Sequence, residues 1–408
     1  MTCVIQCRVY LGLSQSPDVF RLDDSLLGGP DVLDGGGTDP DTYAWTEVSQ
    51  WVESPVVTRK GGGSSSSILF RSDGGRCSFT LANLDGRFDP HNTSGPYYGT
   101  IGTGVAVLVQ ATITGVGTRT VWVGSVDDWA IDYWNDQWSE VRVTASDDVE
   151  ALQALNPGAQ AIPLPVQGSD ERCNAILDVA GWPSSLRAVE SSSDMSTWEQ
   201  QSTDLGQSIW AELQLAADSA DAWLWLDASG VVHVEKQLPT SLALTIGNTT
   251  GAIPATRVEV ATQDRARLAN LIELRMPYAS TPTTLTSEDL ESQSRYGVRS
   301  WGRSDLMSWP GLLLYFLAGY LCARWKDPLP WQPERVTVEP ETTSDAWALL
   351  TYGVAGYLVE VRQSTPDGRT ITGRGYVCGT EWVFPPPGTA SRPTVALSMF
   401  PDRPPFVV

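Results

Sequence analysis

The chain has 408 residues, 48 acidic against 27 basic, and a formal net charge of −21. That length predicts two to four domains, and the acidic balance argues against a protein that grips nucleic-acid phosphates, where affinity rests on Lys and Arg, but not against one that surrounds DNA without gripping it. Charged residues are 18% and apolar ones 41%, which excludes a disordered acidic chain, and 17 Trp supply large aromatic area for cores or contacts.

Along the first 150 residues the pattern is that of strands. Residues 2–11, 51–59 and 76–84 alternate apolar and polar side chains, and 105–113, 120–131 and 138–144 continue the alternation. Glycine and serine clusters at 35–37 and 61–67 punctuate them as hairpins and surface loops do. The character changes at 169–227. A helix is predicted over 173–180, opened by Asp170-Glu171-Arg172 and stopped by Gly181-Trp182-Pro183. A second is predicted over 208–220, with Ile209, Leu213, Ala216 and Ala217 on one face. A hairpin follows, with strands at 223–226 and 231–235 around a turn at 227–230, completing a small α/β module. Strands at 242–246, 256–260 and 271–276 alternate with polar loops. A long helix is then predicted over 306–325, interrupted or started by Pro310 and ended by Asp327-Pro328. Its apolar stretch, 311–323, is short of the ~20 residues a membrane span needs, so it reads as a buried helix. Residues 335–400 read as β again.

An internal repeat emerges. Leu108-Val109 aligns with Leu358-Val359, and Arg119-Thr120-Val121 with Arg369-Thr370-Ile371, both at an offset of 250. One inserted residue later, Gly124-Ser125-Val126 aligns with Gly375-Tyr376-Val377. Both copies run through a Trp (Trp129, Trp382) to an alternating strand, 140–144 or 394–398. The repeat predicts two copies of one β-barrel or sandwich unit, with the α/β module and the long helix between them.

Residues with chemical potential are few. The six cysteines (Cys3, Cys7, Cys77, Cys173, Cys322, Cys378) include no C-x-x-C pair and read as buried free thiols rather than a disulfide framework. His91 and His233 are the only histidines, which excludes HExxH and histidine-rich zinc sites, and neither lies near a G-x-S-x-G elbow. No basic-plus-apolar leader opens the sequence. Asn83, Asp85 and Asp89 are oxygen donors of the kind calcium takes. Their spacing is not that of an EF-hand, and an Asp-Gly turn with Asx caps accounts for them better. Asp127 and Asp128 beside Trp129, with Asp132, Trp134, Asp136 and Trp138, suggest a sugar cleft. Adjacent strand residues point to opposite faces, however, so the first two cannot form a glycosidase pair; solvated acids beside a Trp-rich edge are expected instead. The 61–67 run lacks the lysine of a phosphate cradle and reads as a loop. No catalytic residue, metal or cofactor is expected.

The densest motif is Leu81, Asn83, Asp85-Gly86-Arg87-Phe88-Asp89-Pro90, then Pro96-Tyr97-Tyr98, Ile101, Gly104 and Val107. It resembles the "L-x-N-x-D-G-R-F-D-P … S-P-Y-Y … I-x-x-G-x-x-V" run of minor tail proteins from long-tailed bacteriophages that infect actinobacteria. Gly95 stands where that family has Ser. The resemblance continues through Arg172 to Gly181-Trp182-Pro183, through 222–234, where Trp225 takes the aromatic position, through 268–272, and through Ser294, Tyr296-Gly297 and Arg299. It covers most of the chain in order and extends to the tail hub proteins that close the distal end of a tail tube.

The resemblance implies a mainly β fold with an α+β insertion: two tube-like β-barrel or sandwich units plus a small α/β module and one long helix. The expected domains are an N-terminal barrel at 1–155, the α/β module at 156–240, a mixed strand and helix module at 241–334, and strands at 335–408 completing the second barrel. It implies a structural, non-enzymatic virion protein at the phage tail tip, assembled in the host bacterial cytoplasm. The implied partners are further copies of itself in a homotrimeric ring, the distal tail protein, the tail tube, the tape measure protein and other tail-tip proteins, with DNA passing through the lumen without specific binding. The acidic balance suits such a lumen, because negative walls repel phosphates. Two alternatives are a hexameric distal tail protein and a tail-tip module binding host cell-wall carbohydrate.

Overall fold

The computed structural model describes residues 5–15, 43–61, 68–135, 138–156, 162–192, 195, 198–200, 203–261, 267–276, 283–308, 311–328, 331–387, 389 and 391–402. Cys3, Asp136, Pro310, the start of the first strand, the 35–37 glycines and the 62–67 loop lie outside them.

The first unit is built from β1 (Ile5–Gln15), β2 (Tyr43–Glu47), β3 (Val56–Gly61), β4 (Arg76–Ala82), β5 (Ala106–Ile113), β6 (Gly117–Tyr133) and β7 (Ser139–Ser146). Its spatial order is β2-β1-β5-β6-β7-β4-β3, with every neighbour antiparallel. Alternation drives this. In β4, Cys77, Phe79 and Leu81 are buried while their neighbours are not, and in β7 Val141 and Val143 do the same.

A module of mixed character follows. It contains helix α1 (Asp148–Ala154), short strands β8 (Ile162–Leu164) and β9 (Gln167–Gly168), helix α2 (Ser169–Val179), and strands β10 (Arg187–Val189), β11 (Glu199–Gln200) and β12 (Thr203–Leu205). Helix α3 (Ile209–Ala220) and the hairpin β13 (Trp223–Leu226) and β14 (Val232–Glu235) complete it. The two expected helices of this module are present. Ser208 caps α3 by accepting from the Ala211 amide at 3.4 Å.

Strands β15 (Leu242–Gly247) and β16 (Ile253–Ala261) come next. Then come β17 (Leu271–Met276), β18 (Thr283–Glu288), helix α4 (Leu290–Tyr296), β19 (Ser300–Arg303) and helix α5 (Gly311–Trp325). The chain returns with β20 (Gln332–Val338), helix α6 (Thr343–Tyr352), β21 (Leu358–Ser364), β22 (Thr370–Phe384) and β23 (Thr394–Pro401). Strands β15, β16 and β20 to β23 close on themselves in the order β22-β21-β15-β16-β20-β23-β22. That is a six-stranded barrel. It draws β15 and β16 from the segment before the β17–α5 insertion.

The long helix begins at Gly311 and not at 306; 304–308 have no helical backbone. Residues 51–55 are not strand: a 3-10 turn over Ser49–Trp51 precedes β3. Residues 343–352, expected as β, form α6, capped by the Thr342 hydroxyl accepting from the Asp345 amide at 3.1 Å.

The repeat has a geometric counterpart. The β6–β7 ladder breaks register between Val126 and Asp128, and the β22–β23 ladder between Val377 and Gly379. Those positions correspond under the 124–126/375–377 alignment, and the pairs follow: Ser125↔Ser146 matches Tyr376↔Phe400, and Ile131↔Val141 matches Trp382↔Val395. A bulge is a sequence-specific device, so a shared one supports a duplicated unit. Trp382 therefore corresponds to Ile131, two residues along the same face from the Trp129 position.

The first unit and the six-stranded barrel are joined edge to edge. Strand β3 pairs with β22 from Val56↔Phe384 to Gly61↔Gly379, making one 13-stranded sheet. Their interiors form one apolar core, including Leu11, Val107 and Trp122 on one side and Val336, Val377 and Leu397 on the other. A second core lies in the inserted modules, with Trp182, Trp198, Leu213 and Trp325. It reaches the outer face of the second barrel through Tyr376, Cys378 and Phe400; Trp223 stacks on Phe70 at 3.9 Å and meets the Phe400 edge at 5.3 Å.

Candidate functional site

The motif segment occupies the connection between β4 and β5, the slot that α6 fills between β20 and β21. Asn83 organises it. Its side chain is buried, donates to the Ser139 hydroxyl at 3.1 Å and accepts from the Phe88 amide at 2.8 Å. Ser139 returns a hydrogen bond to the Asn83 carbonyl at 2.7 Å. The Asp85 carboxylate accepts from the Arg87 amide at 3.2 Å and pairs with its guanidinium at 2.8 Å. That pairing holds the carboxyl below its usual range. Gly86 sits at φ +68°, a left-handed turn position that also admits Asn92, whose amide donates to the Gly86 carbonyl at 3.0 Å. Arg87 lies over the Trp51 ring at 4.3 Å.

Phe88 is the anchor. It is fully buried between Trp51, Tyr97 and Trp129, with ring centroids 5.5, 5.6 and 6.4 Å away. Trp129 donates from Nε1 to the Phe88 carbonyl at 3.0 Å. Asp89 accepts from the His91 amide at 2.8 Å and from the Tyr133 hydroxyl at 2.6 Å. Pro90 is half-buried, whereas Pro96 and Tyr98 are exposed. The oxygens of Asn83, Asp85 and Asp89 are thus spent on backbone and side-chain donors. They fix a loop, and no group of three or more metal-ligating side chains occurs among the described residues.

The other motif positions also terminate helices. Gly181 and Trp182 close α2, their amides donating to the Asp178 and Leu177 carbonyls at 3.0 and 2.9 Å. The Trp182 indole is buried and donates to the Leu186 carbonyl at 3.0 Å, and Pro183 leads out of the turn. Tyr296 ends α4, and the Gly297 carbonyl accepts from Asn270 at 2.9 Å. The three motif groups lie at different places in the fold: the β4–β5 connection, the end of α2 and the end of α4. Asp127 accepts from the Ser146 hydroxyl at 2.6 Å, and burial raises its carboxyl. Four described cysteines are buried and Cys7 is half-buried; burial pushes the Cys173 thiol up to about 12, which makes it unreactive.

The features suited to assembly are surfaces. At the barrel seam Glu381 accepts from Arg59 at 2.7 Å and lies 3.2 Å from Arg335, and Lys60 reaches Asp147, the cap of α1, at 3.0 Å. The β6–β7 hairpin tip carries Tyr133, Trp134 and Trp138 in the open, Trp134 at 69% exposure, with Leu84 exposed in the adjoining loop. Exposed aromatics at one tip mark a contact surface. A cavity of about 260 Å³ lies where the hairpin β13–β14 meets both barrels, lined by Lys60, Trp225, His233, Glu235 and Trp382 among others. There His233 stacks on Trp225 at 4.7 Å between Asp227 (3.3 Å) and Glu235 (3.0 Å). Burial alone would lower its pKa, but the two carboxylates outweigh it and raise it to about 9. Sequence reasoning missed this cluster; the alternation of Asp227, His233 and Glu235 around a tight turn was its only trace.

No family model matches the chain, and no curated protein matches it in sequence. Solved structures do resemble it. A tail protein from Neisseria meningitidis MC58 superposes with a TM-score of 0.59 at 14% identity, covering 88% of this chain and 94% of that one. The 43 kDa tail protein of prophage MuSo2 from Shewanella oneidensis superposes with a TM-score of 0.57 at 12% identity, covering 98% of both chains. The chain has the β-rich fold of these tail proteins over nearly its whole length.

Proposed function

We propose that the protein is a structural component of a phage tail: a hub-type minor tail protein whose copies form a homotrimeric ring at the distal end of the tail tube. The ring links the tube to the tip and continues the DNA channel. The single observation that carries this reading is the pair of bulge-matched β units, joined edge to edge within one chain whose fold is that of tail proteins. Two units per chain let three chains present six barrels to a six-fold tube. In this reading residues 1–155 supply the first unit, and β15, β16 and β20 to β23 supply the second, so the 241–334 segment contributes barrel strands as well as the β17–α5 insertion; that insertion and the 156–240 module lie outside the barrels. The neighbours are the tail tube, the distal tail protein, the tape measure protein and other tip proteins, and the work is mechanical, not catalytic. The acidic balance lines a channel through which DNA slides. The protein resides in the virion, at the tail tip, after assembly in the host cytoplasm.

Mass measurement of assembled tails tests it. Three copies per ring supports the hub; six copies supports a distal tail protein instead. Release of sugar from host cell wall by the purified chain, or binding to it, supports the carbohydrate reading, which the exposed Trp134 and Trp138 motivate.

A further inference from the structure

The seam inside the chain has two unfilled counterparts. Strand β22 is flanked on one side by β23. On its other side it is flanked first by β21, over 370–376, and then by β3, over 379–384. Its equivalent β6 is flanked by β7 on one side and by β5 over 117–125 on the other. There the pairing stops. Among the described residues no strand pairs with 128–133 on that side, the positions equivalent to 379–384. Strand β3, which fills the site on β22, lies between β4 and β22. Its equivalent in the second barrel is β16, paired to β20 over 255–261. On its other side, among the described residues, β16 meets β15 only at Ile253 and Pro254. Among the described residues the chain therefore presents one unpaired edge of the β22 type and one of the β3 type, each matched to the partner it lacks.

We propose that copies of this chain join head to tail, the 128–133 edge of β6 in one copy pairing antiparallel with the 255–261 edge of β16 in the next. The partner is a second copy because the contact repeats one already made within each copy: β3 on β22, six cross-strand pairs long. Transferring that register sets Val258 opposite Tyr133 and Ala261 opposite Ala130. It also keeps faces consistent, since Val56 and Thr58 point inward at the internal seam and Val258 and Val260 take their places.

Two further observations agree. A groove of about 300 Å³ runs beside the β16 edge, lined by Ala255, Val258, Val260, Trp331 and Ile371 among others. The exposed Tyr133 and Trp134 end the β6 edge and are carried into the joint. Charge is compensated locally. The register sets Asp132 opposite Glu259, a like-charge pair that would oppose the joint, but each acid is already paired within its own copy, Asp132 with Arg142 and Glu259 with Arg257. Unpaired strand edges are templates for strand addition. A contact between two different edges generates a ring or an open helix rather than a two-fold dimer. This inference deepens the ring reading above and rests on it.

The test uses the full-length chain carrying Ala130→Cys or Ala261→Cys. Under mild oxidation a mixture of the two variants is expected to give a cross-chain dimer several-fold above either variant alone. The double variant is expected to give a covalent ladder that ends at the ring size. The single variants control for the native thiols. A closed oligomer by mass with no trapped product above those controls overturns the edge assignment and leaves the ring standing. A monomer by mass with no trapped product overturns both.

Discussion

Asn83 and Asp85 stand two residues apart in one motif, yet burial gives them different weights. Asn83 is 1% exposed and joins the Phe88 amide, the Ser139 hydroxyl and, through its backbone, the Ser139 strand. Asn83→Ala leaves buried partners unsatisfied, so we expect a loss of about 2 kcal/mol, read from urea unfolding midpoints. The Asp85 side chain is more than half exposed, and Asp85→Ala should cost no more than ~1 kcal/mol. Equal losses would mean the motif acts through charge and not through the buried amide. His233 provides a pH signature. Its folded pKa of about 9 exceeds the unfolded value near 6.5. Its contribution to stability is therefore complete below about pH 6.5 and is lost as pH rises through about 9. Thermal midpoints should fall across that window, and His233→Gln should remove most of the slope. An unchanged slope would assign the effect to other groups.

At the scale of elements, the seam is the joint on which the architecture depends. Gly61 ends β3 at φ +61°, and a Cβ there would lie 2.5 Å from the Cys378 carbonyl oxygen. Gly61→Ala should cost about 1–3 kcal/mol from left-handed backbone strain alone. It should also open the barrel junction, measured as faster amide exchange in β3 and the 379–384 half of β22. Slow exchange there in the variant would show that the seam tolerates the change. The seam was not legible in the sequence, although its strands were. Period-two alternation located β4 and β7 because each buries one face locally. Which strand lies beside which is set by contacts hundreds of residues apart. Nothing local in β15 signals that it runs parallel to β21. Helix α6 was read as β because its ten residues sit between strands and carry Trp347, Leu349, Leu350, Thr351 and Tyr352. Its Thr342 cap was the signal available. The motif was legible as a turn because Asn, Asp and Gly announce turns chemically; that Phe88 anchors it among three aromatics depends on tertiary packing and was not.

For the whole molecule, the net charge of −21 sets copies of the chain against one another. In the proposed ring each joint must overcome repulsion spread over the surface, while its attraction would be main-chain pairing and aromatic burial at short range. Salt separates these contributions. The Debye length is ~30 Å at 0.01 M ionic strength and ~8 Å at 0.15 M, so added salt screens the distant repulsion and leaves the buried joint nearly untouched. Self-association should therefore tighten as salt rises, by about tenfold or ~1.4 kcal/mol over that range, measured by sedimentation equilibrium. Binding that depends on gripping phosphates runs the opposite way, because salt weakens it steeply. Duplex DNA should accordingly pass unretarded through a gel with the chain at every salt concentration tested. Association that weakens with salt would mean the joints are made by ion pairs across the interface, with the arginines around Asp132 and Glu259 as their source. Retention of DNA at low salt would place a basic lining where the ring reading requires an acidic one.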